Sequence, residues 1–133
     1  MNQLIILVAL PGSGKSFYGN SLKKLLGTSC NFLDDMDNLD SLEESIRNFK
    51  TTIIADPLLA SDETRKLSEA YLNSRFPKLP IKWIFWENNP EDAWINVKKR
   101  DDGRIISQSF LKHLSSQYNP PHIYFKVYKK ELK

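Results

Sequence analysis

Apolar and polar residues along this chain fall into alternating segments of two kinds. "LIILVA" (4–9) is apolar throughout, as expected of a strand buried on both faces of a parallel sheet. "KSFYGNSLKKLL" (15–26) instead spaces Phe17, Leu22, Leu25 and Leu26 at helical intervals, with Gly27 placed to end the helix. "CNFL" (30–33) reads as a short second strand. "LDSLEESIRNF" (39–49) puts Leu39, Leu42, Ile46 and Phe49 on one helical stripe, and "TTIIAD" (51–56) is a β-branched third strand closed by Pro57. A polar helix over 62–75 turns Leu67, Ala70 and Tyr71 inward. "IKWIFW" (81–86) is a fourth strand. A helix follows over 90–100, capped by Asn89 before Pro90, and another over 107–118, capped by Ser107 with Phe110, Leu111 and Leu114 inside. "HIYFKVY" (122–128), after a Pro-Pro break, is the last strand.

Five strands alternating with helices predict an α/β fold, with a parallel five-stranded sheet and helices on both faces. Right-handed crossovers would bring the C-terminal ends of the strands to one edge, where ligand chemistry collects. The 133 residues suit one domain with a real core, and 41% apolar against 26% charged residues is ordinary for a globular chain. No apolar run approaches the ~20 residues that cross a bilayer, and the amino terminus lacks the basic region of a secretory signal. A cytoplasmic protein with no membrane partner is the expectation. Cys30 stands alone, which excludes a disulfide framework and a paired-thiol metal cluster; it reads as a buried strand thiol. The formal charge of +3 permits a polyanionic partner without requiring one. Four Lys in "KVYKKELK" (126–133) gather much of it, as a solvated tail or a nucleic-acid contact.

The chemistry begins directly behind the first strand. "ALPGSGKS" (9–16) meets the pattern G-x-x-x-x-G-K-[ST] with Ala9 in place of the first Gly. Gly12 and Gly14 let the backbone coil so that successive N–H groups point at phosphate oxygens, and the following helix adds the positive end of its dipole. The nucleotide contacts expected here come from Pro11, Gly12, Ser13, Gly14, Lys15, Ser16 and Phe17. Lys15 would bridge the β- and γ-phosphates of ATP, and the Ser16 hydroxyl would ligate Mg²⁺. With an apolar strand before it and an amphipathic helix after it, the motif predicts a three-layer P-loop NTPase fold.

Transfer of the phosphoryl group needs acids and cations at the same edge. Asp56, at the end of the third strand, can hold a metal-bound water or orient Ser16; it is equally placed for a turn or a helix cap. Asp34, Asp35 and Asp37 follow the second strand. One of them, best Asp34, can take the proton of an acceptor hydroxyl, and the cluster also suits a solvated turn. In "KKRDDGR" (98–104), Arg100 and Arg104 flank Gly103 in a short lid, around 99–106, whose guanidiniums fit phosphate oxygens. A charged helix connector is the alternative for that segment, and is how Lys98 and Lys99 read. Trp83, Trp86 and Trp94 read as core rather than as stacking platforms, and His113 and His122 as surface or structural residues.

"VALPGSGKSFYGNSL", "NFLDD", "TTIIADPLL" and "NVKKRDDGRIISQSFLKHL" occur in the order and spacing of polynucleotide-kinase-type P-loop kinases. The chain most resembles the kinase domains of the 5′-hydroxyl polynucleotide kinases of T-even bacteriophages. The likeness spans nearly all of the sequence, though only the phosphate loop is individually specific. It implies that Asp34 is the general base, that Lys15 and Ser16 hold the ATP donor with Mg²⁺, that Asp56 supports the metal side, and that Arg100 and Arg104 are lid arginines. In the family an Arg commonly stands three residues beyond the base, where this chain has Asp37, and the phosphatase half of bifunctional relatives is not expected here. Between Asp34 and the third strand there is room for about one helix, so the acceptor site stays open on one side. That suits a nucleic-acid 5′-hydroxyl. A nucleoside or sugar acceptor, and a regulatory nucleotide-binding module without transfer chemistry, are the alternatives.

Overall fold

β1 (Gln3–Val8) organises the fold, because its alternate side chains serve two different cores. In the computed structural model the described residues are 2–34, 38–99, 106–121 and 124–127. Across them run α1 (Lys15–Leu26), β2 (Cys30–Asp34), α2 (Leu39–Asn48), β3 (Thr51–Ala55), α3 (Asp62–Arg75), β4 (Ile81–Phe85), α4 (Pro90–Lys98) and α5 (Gln108–Gln117). Short 3₁₀ turns over Gly27–Ser29 and Pro57–Ala60 complete the path. The sheet is parallel with strand order β2-β3-β1-β4. Leu4, Ile6 and Val8 face a core closed by Leu42 and Ile46 of α2, Leu72 of α3, Ala93 of α4 and Leu111 and Leu114 of α5. Ile5 and Leu7 face the other side with Cys30, Ile53, Ala55 and Trp86, covered by Tyr18 and Leu22 of α1. Helices therefore lie on both faces of the sheet, as expected.

Four strands are described, not five. The segment expected as a fifth strand over 122–128 meets the sheet as a single parallel bridge between Trp86 and Phe125. Phe125 N–H donates to the Phe85 carbonyl at 2.8 Å, and its own carbonyl accepts from Glu87 N–H at 2.7 Å. His122, Ile123 and Tyr128 lie outside the described residues. Among the described residues no helix is long and apolar enough to cross a membrane.

The expected helices form, but two of them are rotated from the phase that apolar spacing suggests. On α1, Phe17 and Leu25 face solvent, 62% and 81% exposed, and the inward face is Lys15, Tyr18, Gly19 and Leu22. Lys15 is buried at the start of the helix. Positions three, four and seven residues on must then share its face. Gly19 permits the approach: a Cβ there would lie 2.5 Å from Cζ of Phe32. On α3, Leu67 and Ala70 are exposed and only Tyr71 of the expected trio is partly covered, while Leu72 is buried. Here Arg65 sets the phase. Its Nη1 donates to the Leu59 and Ala60 carbonyls, both at 2.8 Å, its Nη2 pairs with Asp62, and its guanidinium lies over the rings of Phe85 and Tyr118. On α2, Leu42 and Ile46 are buried as expected, but Leu39 is exposed.

Other local expectations hold. Asn89 accepts from Asp92 N–H with Pro90 at the first helical position, Ser107 accepts from Phe110 N–H, and Gly27 ends α1 at φ +73°. Cys30 is buried in β2, and burial pushes its thiol pKa up. Trp86 is buried, with Trp83 and Trp94 packed against the core, and His113 is exposed.

Candidate active site

The phosphate loop begins where β1 runs out of sheet. Ala9, Leu10, Pro11, Gly12 and Ser13 are all buried. The chain reverses through Gly12 (φ +86°) and Gly14 (φ +105°), conformations that favour glycine. Ser13 N–H donates to the Leu10 carbonyl, and the first main-chain bond of α1 runs from Tyr18 N–H to the Gly14 carbonyl at 3.0 Å. The first-turn N–H groups of a helix have no acceptor within the helix itself, and a glycine loop that opens a helix in this way is a setting in which phosphate can be held. Ser13 Oγ is buried there without a hydrogen-bond partner among the described residues. Such exceptions call for a specific reason, an ion or water among them.

α4 fixes the loop from beneath. Ala93, Asn96 and Val97, spaced to share one helix face, are all buried. Gly12 sits so close to them that a Cβ would lie 2.2 Å from the Ala93 carbonyl oxygen and 2.8 Å from a Val97 methyl. Asn96 Nδ2 donates to the Gly12 carbonyl at 2.8 Å across 84 residues of sequence. Sequence reasoning passed over Asn96; the signal was a polar amide inside the stripe formed by Ala93 and Val97. A second support comes from Tyr118, whose buried hydroxyl donates between the carbonyls of Trp86 and Val8, the latter at 3.1 Å. Burial pushes its pKa well above the usual tyrosine value. It ties the C-terminal ends of β1 and β4 together where the loop departs.

The acids come from neighbouring strands. Asp34 ends β2 in register with Ala55 of β3, which in turn pairs with Leu7 of β1. Ser16 Oγ donates to Asp34 Oδ2 at 2.6 Å, which brings a carboxylate against the last residue of the phosphate-loop motif. Asp56, one residue beyond β3, caps the 3₁₀ turn by accepting from Leu58 N–H at 2.9 Å. Asp56 thus serves as a cap, one of the roles offered for it, and Ser16 is engaged by Asp34. Hydroxyl and carboxylate oxygens are the donor types that Mg²⁺ takes, and it is usually held by one or two protein groups together with phosphate oxygens and water. No group of three or more His, Cys, Asp or Glu that could hold a metal occurs among the described residues.

Lys15 is buried at the first position of α1, and Phe17, two residues on, is exposed. Asp35 and Asp37 lie outside the described residues, as do Arg100 and Arg104 of the expected lid. The chain leads into that segment from the end of α4, where Asn96 and Val97 touch Gly12.

No family model matches this sequence. It is 29% identical over 121 residues to an uncharacterised protein of Acanthamoeba polyphaga mimivirus, an alignment covering 88% of this chain and 86% of that one. Among solved structures it is similar to a gluconokinase from Sinorhizobium meliloti 1021, with a TM-score of 0.67, 13% identity, and 96% of this chain and 84% of that chain covered. It is also similar to a chain of the Pnkp1/Rnl/Hen1 RNA repair complex, with a TM-score of 0.66, 17% identity, and 87% of this chain but 43% of that chain covered. With the parallel sheet and the loop geometry above, these likenesses make the fold that of the P-loop kinases.

Proposed function

We propose that this protein is a single-domain, ATP- and Mg²⁺-dependent kinase that transfers the γ-phosphoryl group to a nucleic-acid 5′-hydroxyl. The observation that carries the reading is the 2.6 Å hydrogen bond from Ser16 to Asp34, a carboxylate held against the phosphate loop. Lys15 and the loop N–H groups hold the β- and γ-phosphates. Mg²⁺ held at Ser16, with Asp56 on its side, would neutralise phosphate charge. Asp34 takes the proton of the acceptor hydroxyl as its oxygen attacks the γ-phosphorus, and the bond to the ADP oxygen breaks on the opposite side. Arg100 and Arg104 close over the transferred group from the short lid at 99–106. The polynucleotide acceptor is supported by the resemblance in the sequence and by the likeness to a chain of an RNA repair complex.

A second reading has its own support. The gluconokinase is covered over 84% of its length, nearly twice the share of the RNA repair chain, which favours a small polyhydroxy acceptor. Incubation with γ-labelled ATP and a panel of 5′-hydroxyl DNA, RNA, nucleosides, gluconate and other sugars separates the two. Label on the oligonucleotides is expected, and label confined to nucleosides or sugars defeats the polynucleotide reading. No transfer, with ATP binding intact, makes the chain a nucleotide-binding module. Asp34→Asn should abolish transfer and leave ATP affinity within about twofold, since a base contributes roughly 10²–10⁴-fold to rate; full turnover would remove Asp34 from the role.

A further inference from the structure

On the face of the sheet that α1 covers, an open groove of about 530 Å³ lies beside β2, the outermost strand of the described sheet. Asn20, Lys23 and Lys24 come to it from α1, Thr28 and Cys30 from the entry to β2, and Phe49 from the end of α2. The kinase reading leaves it unused.

Three contacts between α1 and β2 join this groove to Asp34. Ser16 Oγ donates to the Asp34 carboxylate. Gly19 lies against the ring of Phe32. Lys23 is near enough to Cys30 for its charge to act on the thiol. Cys30, Phe32 and Asp34 alternate to one side of their strand, and Ser16, Gly19, Asn20 and Lys23 share one side of their helix. Contact therefore moves from 34 to 30 along β2 as it moves from 16 to 23 along α1, so the two elements run antiparallel. Asp34 stands at one end of their seam, with Lys23 and Lys24 toward the other. At 1.5 Å per helical residue the lysines lie roughly 10–12 Å beyond Ser16.

Chemistry selects the occupant. No Asp or Glu lines the groove, and neither lysine has an ion-pair partner among the described residues. Lysines in the last turn of a helix complement its dipole; these two also line a groove with the Asn20 amide, the Thr28 hydroxyl and the Phe49 ring. Cations, small polar groups and an aromatic side chain are what a single nucleic-acid strand meets in grooves that follow its backbone. Successive phosphates of a strand are at least about 3.4 Å apart, so the distance from Ser16 to the lysines corresponds to roughly two or three nucleotides. A lone sugar does not span it.

We propose that the groove between α1 and β2 is the track of the acceptor strand, with the 5′-terminal nucleotide at Asp34 and phosphates two or three nucleotides further along at Lys23 and Lys24. The inference rests on the kinase reading for its placement of the 5′-hydroxyl at Asp34. Contacts to phosphate carry no sequence information, so the acceptor's base sequence should matter little.

Two measurements test it. Fluorescence anisotropy follows binding of a 5′-hydroxyl hexanucleotide, without ATP, from about 50 to 200 mM salt. Two neutralised phosphates contribute about 1.4 to the slope of log K against log salt for a single strand. Lys23→Gln/Lys24→Gln, at exposed positions, should remove about that much and keep the melting temperature. Lys66→Gln/Lys112→Gln makes the same charge change at exposed positions of α3 and α5, across the sheet, and should keep the wild-type slope. In the transfer assay the wild type should use the hexanucleotide about tenfold or more better, in kcat/KM, than a nucleoside 3′-monophosphate. Lys23→Gln/Lys24→Gln should bring that ratio toward one. A slope reduced as expected, without transfer to any acceptor, would refute the kinase reading and keep the track. Transfer with the wild-type length preference and slope in Lys23→Gln/Lys24→Gln would refute the track and keep the kinase. An equal fall in slope in Lys66→Gln/Lys112→Gln would overturn the assignment, because net charge alone would then account for binding.

Discussion

Removing the Asn96 amide tests whether α4 sets the shape of the phosphate loop. In Asn96→Ala the Gly12 carbonyl loses its 2.8 Å donor in a place where both residues are buried. An unsatisfied buried carbonyl costs about 1–3 kcal/mol, and in a domain of this size that lowers the melting temperature by roughly 3–10 °C. The loss falls at the turn between Gly12 and Gly14, whose N–H groups are proposed to face the phosphates. If half of it is recovered by the loop relaxing away from its phosphate-holding form, ATP affinity drops by roughly threefold to tenfold. Asn96→Asp separates shape from donation. It preserves the volume but sets a carboxylate oxygen against a carbonyl oxygen and adds negative charge near the phosphates, so it should weaken ATP binding more than alanine does. Thermal unfolding and ATP titration by calorimetry, on the same three proteins, give both quantities. Wild-type ATP affinity in both variants would refute the reasoning, whatever their stability.

Other consequences follow from single contacts. Gly12→Ala should be worse than Asn96→Ala, because its Cβ would lie 2.2 Å from the backbone oxygen of Ala93 at a φ of +86°; poor yield of folded protein or loss of ATP binding is the expected result. Tyr118→Phe removes the donor shared by the Val8 and Trp86 carbonyls and should cost about 1–3 kcal/mol in urea unfolding. Glu43 accepts from Arg75 Nε at 2.7 Å and from the Tyr71 hydroxyl, which together hold its pKa down at about 2 against an ordinary 4.5. Its contribution is therefore complete above about pH 4.5 and is lost as pH falls toward 2, since over that range the unfolded chain binds the extra proton. Urea midpoints measured across this window should fall less steeply for Glu43→Gln than for wild type.

How far the fold could be read from the sequence depended on where polar side chains are buried. Strand-helix alternation and the phosphate loop were legible because each is local. The loop needs particular residues within eight positions, and its context, apolar strand before and helix after, lies next to it. The phases of α1 and α3 were not legible from leucine spacing, because Lys15 and Arg65 sit inside and the leucines beside them face out. Counting apolar residues assigns the inward face correctly for α5, where no buried ion intervenes, and fails where a cation has partners of its own. Asn96 was missed for a different reason. Its meaning lies in Gly12, 84 residues away, and no periodicity within α4 points there.

The same distinction bears on Asp34 and Asp56. Both end strands, both follow apolar runs, and from sequence both could serve the metal side or a turn. Register separates them. Ala55 occupies the position in β3 that Asp34 occupies in β2, so Asp56 stands one step further along, where Pro57 starts a 3₁₀ turn with an N–H to be capped two residues on. Asp34 ends β2 one register step earlier and accepts from Ser16. With Asp34 as the essential carboxylate, Asp56→Ala should cost about 0.5–2 kcal/mol, the ordinary loss for a cap, with a partial loss of transfer from its support of the Mg²⁺ side, whereas Asp34→Asn should be nearly neutral for stability and severe for transfer. The reverse pattern, a stable but inactive Asp56→Ala beside an active Asp34→Asn, would move the essential carboxylate from β2 to the end of β3.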